Sequence, residues 1–360
     1  MTRVKGFIDA NVYEEAKRRM HHIYDIFDTV IVAFSGGKDS LVCVHLAREV
    51  ALERGDDRPI KVAYRDEELI PDPVVKFMEE WRDVPWVDLR WYCLRNHSTK
   101  YILGQSISFT QWDPDREWLR PMPEWAITAE DLGMTSDFVF DQYSSDTVLA
   151  HGEPGKVAIV TGVRAAESIM RFNALKAKLH DNYINAVVDK RVMTCKPIFD
   201  WQENDVFRYF YDHDIRYCPI YDGQLWSGTP LRVSMPTHAE SAKTFGKLRE
   251  FAPEFYDQLI ALMPEMAVQE RYYRELDRKG LITRYGSSWD GIRAWIDDTL
   301  TDERHREKAL RLLRSAEMQA LVTPESFPTD HVLKQLMTGL DHKSAILPLT
   351  KIEQQRRAAR

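Results

Sequence analysis

A chain of 360 residues can bury a sizeable core and is long for one domain. Its 44% hydrophobic and 29% charged residues are ordinary for a folded globular protein, and no apolar run approaches membrane-spanning length. The net charge of −7 speaks against a general polyanion binder, and Cys43, Cys93, Cys195 and Cys218 form no CxxC pair, which reads as four small buried hydrophobes rather than a disulfide framework or a local metal motif.

No signal-type apolar segment follows Met1 to Gly6, so a cytoplasmic location is expected. From Asn11 to Phe27, Val12, Ala16, Met20, Ile23 and Phe27 recur at helical spacing and predict an amphipathic helix. Thr29 to Ala33 is a short β-branched run that reads as a buried parallel strand. Phe34-Ser35-Gly36-Gly37-Lys38-Asp39-Ser40 follows, and Leu41 to Arg54 reads as a mostly buried helix. A helix starting at a glycine turn points its free N–H groups and positive dipole end at whatever sits there. Gly36 and Gly37 let the backbone approach an anion, Ser35 and Ser40 add hydroxyl donors, and Lys38 adds a charge. Asp39 would repel a phosphate unless a cation lay between, which argues for Mg²⁺ at Asp39. The spacing fits neither the Walker loop nor the G-x-G-x-x-G fingerprint.

Gly55 to Pro59 breaks the chain, and Ile60 to Tyr64 reads as a second strand of a right-handed βαβ unit. Arg65-Asp66-Glu67-Glu68 lies at its C-terminal end, where open α/β sheets bind ligands. Asp66 and Glu67 are site candidates there, with a solvated acidic loop as the alternative. Pro71-Asp72-Pro73 starts a helix through Trp81 with Asp72 as its cap, and Val87 to Trp91 alternates as a third strand. Residues from Cys93 to Asp146 show little periodicity but carry Trp112, Trp118 and Trp125. An insert this long is functional or disordered, and the tryptophans speak for order. It is expected to form a flap over the crevice at the strand ends, its aromatic residues packing it against the domain or stacking on a planar ligand.

A second constellation begins at Val157-Ala158-Ile159-Val160-Thr161-Gly162, again an apolar strand ending in glycine. A helix is expected to begin at once, and on it Arg164, Glu167, Ser168 and Arg171 fall at i, i+3, i+4 and i+7 and share one face. Two arginines there suit phosphate or sulfate, the alternative being a ladder of surface salt bridges. Asp200 and Glu203 can cap a helix running to His213. Gly223 to Pro236 reads as a linker or pocket loop. Ser241 to Ala320 reads as helical, with Tyr272, Tyr273, Leu276 and Trp295 as core, and His331 to Leu340 as one more short helix. The basic tail from Gln354 to Arg360 reads as a frayed end. These elements predict an α/β fold: a doubly wound, mostly parallel sheet over residues 1–235 with an insert at about 93–150, and a smaller α-helical domain over 236–360.

Ser35 to Ser40 resembles the pyrophosphate loop, Ser-Gly-Gly-x-Asp-Ser, of the adenine nucleotide α-hydrolase superfamily, which includes the N-type ATP pyrophosphatases and the phosphoadenosine phosphosulfate (PAPS) reductases. Gly162 to Ser168 is similar to the Gly-x-Arg-x-x-Glu-Ser segment of PAPS reductase-like proteins. Pro197 to Val206 and Pro219 to Asp222 resemble further stretches of the superfamily. Trp91 to Cys93 and Trp118 to Glu124 look closest to a subgroup similar to the immunoglobulin-binding regulator IbrA. The resemblance implies a Rossmann-like sheet that binds ATP with Mg²⁺ and cleaves it between the α- and β-phosphates to adenylate an acceptor. The implied site comprises Ser35, Gly36, Gly37, Lys38, Asp39, Ser40, Asp66, Gly162, Arg164, Glu167, Ser168 and Arg171. Lys38, Asp39 and Arg164 would be catalytic, with Asp39 as metal ligand. A sulfur donor or partner protein is implied, a homodimer and a nucleic-acid substrate stay open, and no membrane is involved. PAPS reductases carry a Cys-Gly pair near the C-terminus, and no cysteine follows Cys218 here, so reduction of a sulfonucleotide is the lesser alternative. A non-catalytic nucleotide sensor is the other.

Overall fold

In the computed structural model, residues 9–103, 105–168, 171–172, 175, 182–186, 191–238, 241–273, 278–300, 302–338, 340 and 343–358 are described. Their contacts divide the chain into two units, one of residues 1–99, 108–236 and 246–263, the other of 100–107, 237–245 and 264–360.

The first unit is built on a six-stranded sheet of order β3-β2-β1-β6-β8-β7. Its strands are β1 (Thr29–Ala33), β2 (Ile60–Arg65), β3 (Val87–Tyr92), β6 (Val157–Val160), β7 (Ile184–Ala186) and β8 (Val192–Cys195). β1 pairs in parallel with β2 (Ile31 opposite Lys61) and with β6 (Thr29 opposite Val157), and only β7 runs antiparallel, along β8. The β-branched runs are buried on both faces, as parallel strands require. Val30, Val32, Val62 and Val160 face a large core shared with α1 (Val12–Ile26), α2 (Lys38–Glu53) and α3 (Asp72–Glu80). Ile31, Ala63, Ile159 and Val192 face a second core closed by Leu132, Phe140, Val148 and Leu149.

That second core corrects the reading of the insert. Residues 93–146 are more than a flap. Two strands, β4 (Asn96–Ile102) and β5 (Gln105–Gln111), form a small sheet of their own, α4 covers Gln142–Thr147, and the stretch from Ala129 to Ala150 seals the face of the main sheet that the long helices leave bare. Trp112 is buried in the main core, whereas Trp125 lies half-exposed beneath the Arg82 guanidinium at 3.8 Å.

Three local expectations also change. Helix α3 has Pro71, not Asp72, at its N-cap position, with no side-chain cap. Asp200 does not cap α5 (Glu203–Asp212). It is held instead in a two-pronged ion pair by Arg19, while Gln202 and Asp205 form the capping box. Gly223 lies inside a helix, α6 (Ile220–Ser227), where a Cβ would crowd Phe251 of α7 (Leu248–Phe251), which leads into α8 (Pro253–Leu262).

The second unit contains helices α9 (Glu265–Tyr273), α10 (Arg278–Tyr285), α11 (Trp289–Thr299), α12 (Glu303–Ala320), α13 (Thr329–Leu336) and α14 (Lys351–Ala358). Ile292, Trp295, Ile296, Leu312, Leu313, Val332 and Leu333 form its core. The side chains of Tyr272 and Tyr273, and Leu276 altogether, lie outside the described residues. No described helix is long and apolar enough to cross a membrane.

Candidate phosphate-binding site

The chain leaves β1 for β2 and β3 on one side, then returns to β6 on the other side of β1. Such a reversal opens a crevice at the C-terminal ends of the two central strands. The two loops singled out in the sequence are those that follow β1 and β6.

After β1, Gly36 adopts φ +74°, and a Cβ there would press on Val74 and Met78 of α3. This left-handed residue turns the chain into α2, which starts at Lys38, three residues before the predicted start. Gly37 is the N-cap and offers no side chain to the first-turn amides. Ser40 Oγ donates to the Gly37 carbonyl (3.0 Å), accepts the Ser35 N–H (3.3 Å) and lies 3.2 Å from Ser35 Oγ. The Lys38 N–H is donated to the Tyr221 hydroxyl of α6 at 2.8 Å. Burial pushes the Tyr221 phenol well above its usual range, so the hydroxyl stays protonated.

After β6, the backbone at Gly162 lies against the first turn of α2. A Cβ there would overlap the Asp39 backbone and stand 2.5 Å from the Ser40 amide nitrogen. Only glycine allows that approach, and it delivers Arg164 to the cradle. Arg164 is buried, and its Nε donates to Asp39 Oδ1 at 2.6 Å. Lys38, buried as well, reaches Asp39 Oδ2 (3.2 Å), the Leu231 carbonyl (3.0 Å) and Glu203 Oε1 (3.3 Å). The structure thus brings Ser35, Gly36, Gly37, Lys38, Asp39, Ser40, Gly162 and Arg164 together.

Arg171 is arranged differently. The segment after β6 is a single 3-10 turn, Ala165–Glu167, and Ser168 is extended (φ −159°, ψ 155°), so Arg164 and Arg171 share no helical face. Ser168 Oγ accepts the Arg171 N–H at 3.1 Å, and the Ser168 carbonyl accepts the Phe172 N–H, so helical bonding begins there rather than at Gly162. Arg171 is exposed and pairs with Glu167, whose carboxylate accepts the Arg164 N–H at 3.0 Å. A backbone that must turn Arg164 inward cannot also continue as a regular helix.

Asp66 is buried at the end of β2. It accepts from Trp91 Nε1 (3.0 Å), from the Glu68 N–H (3.0 Å) and from Arg120. Next to it the wholly buried Glu68 holds φ +65° and accepts from Arg116 and from the Trp112 N–H (2.7 Å). These two ion pairs tie the insert to the β2 end.

Tyr221, Glu203 and the Leu231 carbonyl are site groups that the sequence reading did not assign to the cradle. Tyr221 lies in the Pro-x-Tyr-Asp stretch, which marked the segment but not its contact. Glu203 looked like a helix-capping residue. No local signal pointed to a carbonyl contact.

The donor set does not fit a resident Mg²⁺ at Asp39. That ion demands near-octahedral oxygen ligands, but both Asp39 oxygens are taken by protein cations. No group of three or more His, Cys, Asp or Glu able to hold a metal occurs among the described residues.

Residues 29–256, more than half of the chain, match the phosphoadenosine phosphosulfate reductase domain family. The chain belongs to that family. The family domain contains all six strands of the main sheet and the whole cradle. The chain is 27% identical over 252 residues to the uncharacterized protein YbdN of Escherichia coli strain K12, covering 66% of this chain and 59% of that protein, so it spans less than two thirds of that relative's length. Among solved structures it is similar to Candida glabrata FMN adenylyltransferase in complex with FMN and an ATP analogue (13% identity, TM-score 0.38, 64% of this chain and 66% of that one). It is also similar to the PAPS reductase of Candida auris (12%, 0.34, 65% and 100%) and to the U34-tRNA thiolase NcsA of Methanococcus maripaludis (15%, 0.33, 74% and 81%).

Proposed function

We propose that the chain is a cytoplasmic enzyme that binds ATP on the loop from Ser35 to Ser40 and cleaves it between the α- and β-phosphates to adenylate an acceptor. The observation that carries this reading is the convergence of the loops after β1 and β6 at the strand-order reversal, where Gly162 lies against the α2 N-terminus and Arg164 meets Asp39. Two buried cations and a helix N-terminus whose N-cap, Gly37, has no side chain form a preorganised cradle for charge that develops on a departing phosphate. An acceptor oxygen forms its bond to the α-phosphorus as the bond from that phosphorus to the bridging oxygen breaks, and pyrophosphate leaves. Lys38 and Arg164 offset the leaving charge. The adenylated product is then open to a sulfur or nitrogen nucleophile from a partner.

The cysteines support this reading over sulfonucleotide reduction. All four are buried and free, and burial pushes Cys195 up to about 12 and Cys218 up to about 11, so neither supplies a thiolate at neutral pH. Four unpaired thiols also suit a reducing compartment. The test is pyrophosphate release from ATP by the purified protein, with a nucleotide-free cell extract as the acceptor source. Release that Lys38→Ala abolishes is the expected result. Tight ATP binding without release would make the chain a non-catalytic sensor, and a preference for PAPS over ATP would overturn the choice of nucleotide.

A further inference from the structure

The cradle buries its cations and leaves its acids nearer the solvent. Lys38 and Arg164 side chains are 3% and 5% exposed, whereas those of Asp39 and Glu203 are 17% and 49% exposed. Asp39 presents its two oxygens to two separate donors, Arg164 Nε and Lys38 Nζ, as one edge of a phosphate group would. Glu203 reaches Lys38 from the N-terminal turn of α5, and Tyr221 takes the Lys38 amide. The groups suited to grip a phosphate are therefore already matched by partners within the chain. A phosphate brought to Arg164 and Lys38 meets the Asp39 carboxylate there, and the two anions cannot share those donors without repulsion.

We propose that Asp39 is a displaceable counter-ion rather than a metal ligand: the cradle takes a phosphate group directly, with no metal between, by exchanging it for the Asp39 carboxylate on Arg164 and Lys38. The proposal rests on the reading of the cradle as a phosphate site and adds how the ligand is held. No bond is made or broken in the exchange. The carboxylate, 17% exposed, turns outward toward solvent, and the cations stay where the fold has buried them. Asp39 thus lowers the affinity of the cradle for anions, and the penalty grows with ligand charge. Glu203, more exposed and paired with Lys38 alone among the described residues, is the weaker competitor.

The experiment is calorimetric titration of the full chain with inorganic pyrophosphate and with ATP, each in EDTA and again with Mg²⁺. Asp39→Asn is expected to bind pyrophosphate in EDTA about tenfold tighter than wild type, between the effect of an exposed and a buried pair. Glu203→Gln is expected to gain about threefold, and it serves as the second variant should Asp39→Asn fold poorly by circular dichroism. A metal ligand would behave in the opposite way: Asp39→Asn would gain nothing in EDTA and lose affinity only with Mg²⁺, and that result overturns the proposal. Should the wild type bind ATP while neither variant tightens, the exchange is wrong and the phosphate site stands. Should no variant or wild type bind pyrophosphate or ATP under any condition, the phosphate site itself falls.

Discussion

Two charged clusters sit at the C-terminal ends of neighbouring strands, and they are built in opposite senses. At the end of β1 the cations are buried and the acids face outward. At the end of β2 the acids are buried and the arginines face outward: Asp66 and Glu68 side chains are wholly buried, with Arg120 at 15% and Arg116 at 24% exposed. The more exposed partner of an ion pair is the one that solvent or a ligand can replace, because its desolvation has cost least. In the β1 cluster that partner is an acid, so an external anion can take its place. In the β2 cluster it is an arginine of the insert, while the acids also bind backbone N–H groups and the Trp91 indole, and so act as fastenings. Similar charges therefore serve ligand exchange in one place and architecture in the other.

The largest expected effect breaks the fastening. Glu68→Ala leaves Arg116 without its carboxylate and the Trp112 N–H without its acceptor. Removing one partner of a buried pair costs about 3–5 kcal/mol. Equilibrium unfolding in urea should show a loss of that size, and a loss below about 1 kcal/mol would show that the two clusters do not differ in kind. Gly162→Ala comes next. Its Cβ would overlap the Asp39 backbone, and overpacking against backbone costs about 2–3 kcal/mol. The same variant should bind pyrophosphate more weakly, since the strand end can no longer bring Arg164 up to α2. Unchanged binding and stability would mean that this close approach is not what assembles the cradle.

The contrast was only half legible in the sequence. Strands β1, β2 and β6 announce themselves as apolar runs rich in β-branched residues and β3 by its alternation, and the glycine loop with its flanking strand and helix marks the cradle, because local backbone requirements leave local traces. Arg164 was named for the right loop but on the wrong geometry. A helical face was expected, whereas an extended Ser168 and a 3-10 turn direct the guanidinium inward. The β2 fastening was illegible. Asp66 reads as a site candidate with a solvated acidic loop as the alternative, Glu68 is given no role, and their arginines lie about 50 residues away in an insert with little periodicity. Pairing across such a distance is set by the assembled fold, and no spacing rule encodes it. The insert's packing on the bare sheet face was missed for the same reason.

A sharper comparison comes from Arg164→Ala. The remaining Asp39 carboxylate keeps Lys38 and is partly solvated, so stability should fall by only about 1 kcal/mol. Pyrophosphate affinity in EDTA should fall about thirtyfold, roughly 2 kcal/mol, because a ligand loses one of its two cations. Removing a cation from the β2 cluster, as in Arg116→Ala, should give the reverse ratio, with a large stability loss and little change in affinity among folded molecules. Equal ratios in the two variants would erase the distinction.

The smallest effect tests whether exchange extends to the backbone. Tyr221→Phe deletes the hydroxyl that accepts the Lys38 N–H, leaving the N-terminus of α2 with one more unsatisfied donor. The ligand-free protein should lose about 1 kcal/mol, the cost of a buried amide without an acceptor. A phosphate oxygen on the loop can replace that acceptor, so part of the loss returns on binding, and pyrophosphate should bind about threefold tighter to the variant than to wild type. If the affinity falls instead, Tyr221 keeps its bond in the complex and orients the Lys38 amide for some other purpose, and the exchange stops at the side chains. If stability is lost and affinity rises, the acceptors that close the empty cradle, carboxylate and phenol alike, are the ones the ligand replaces.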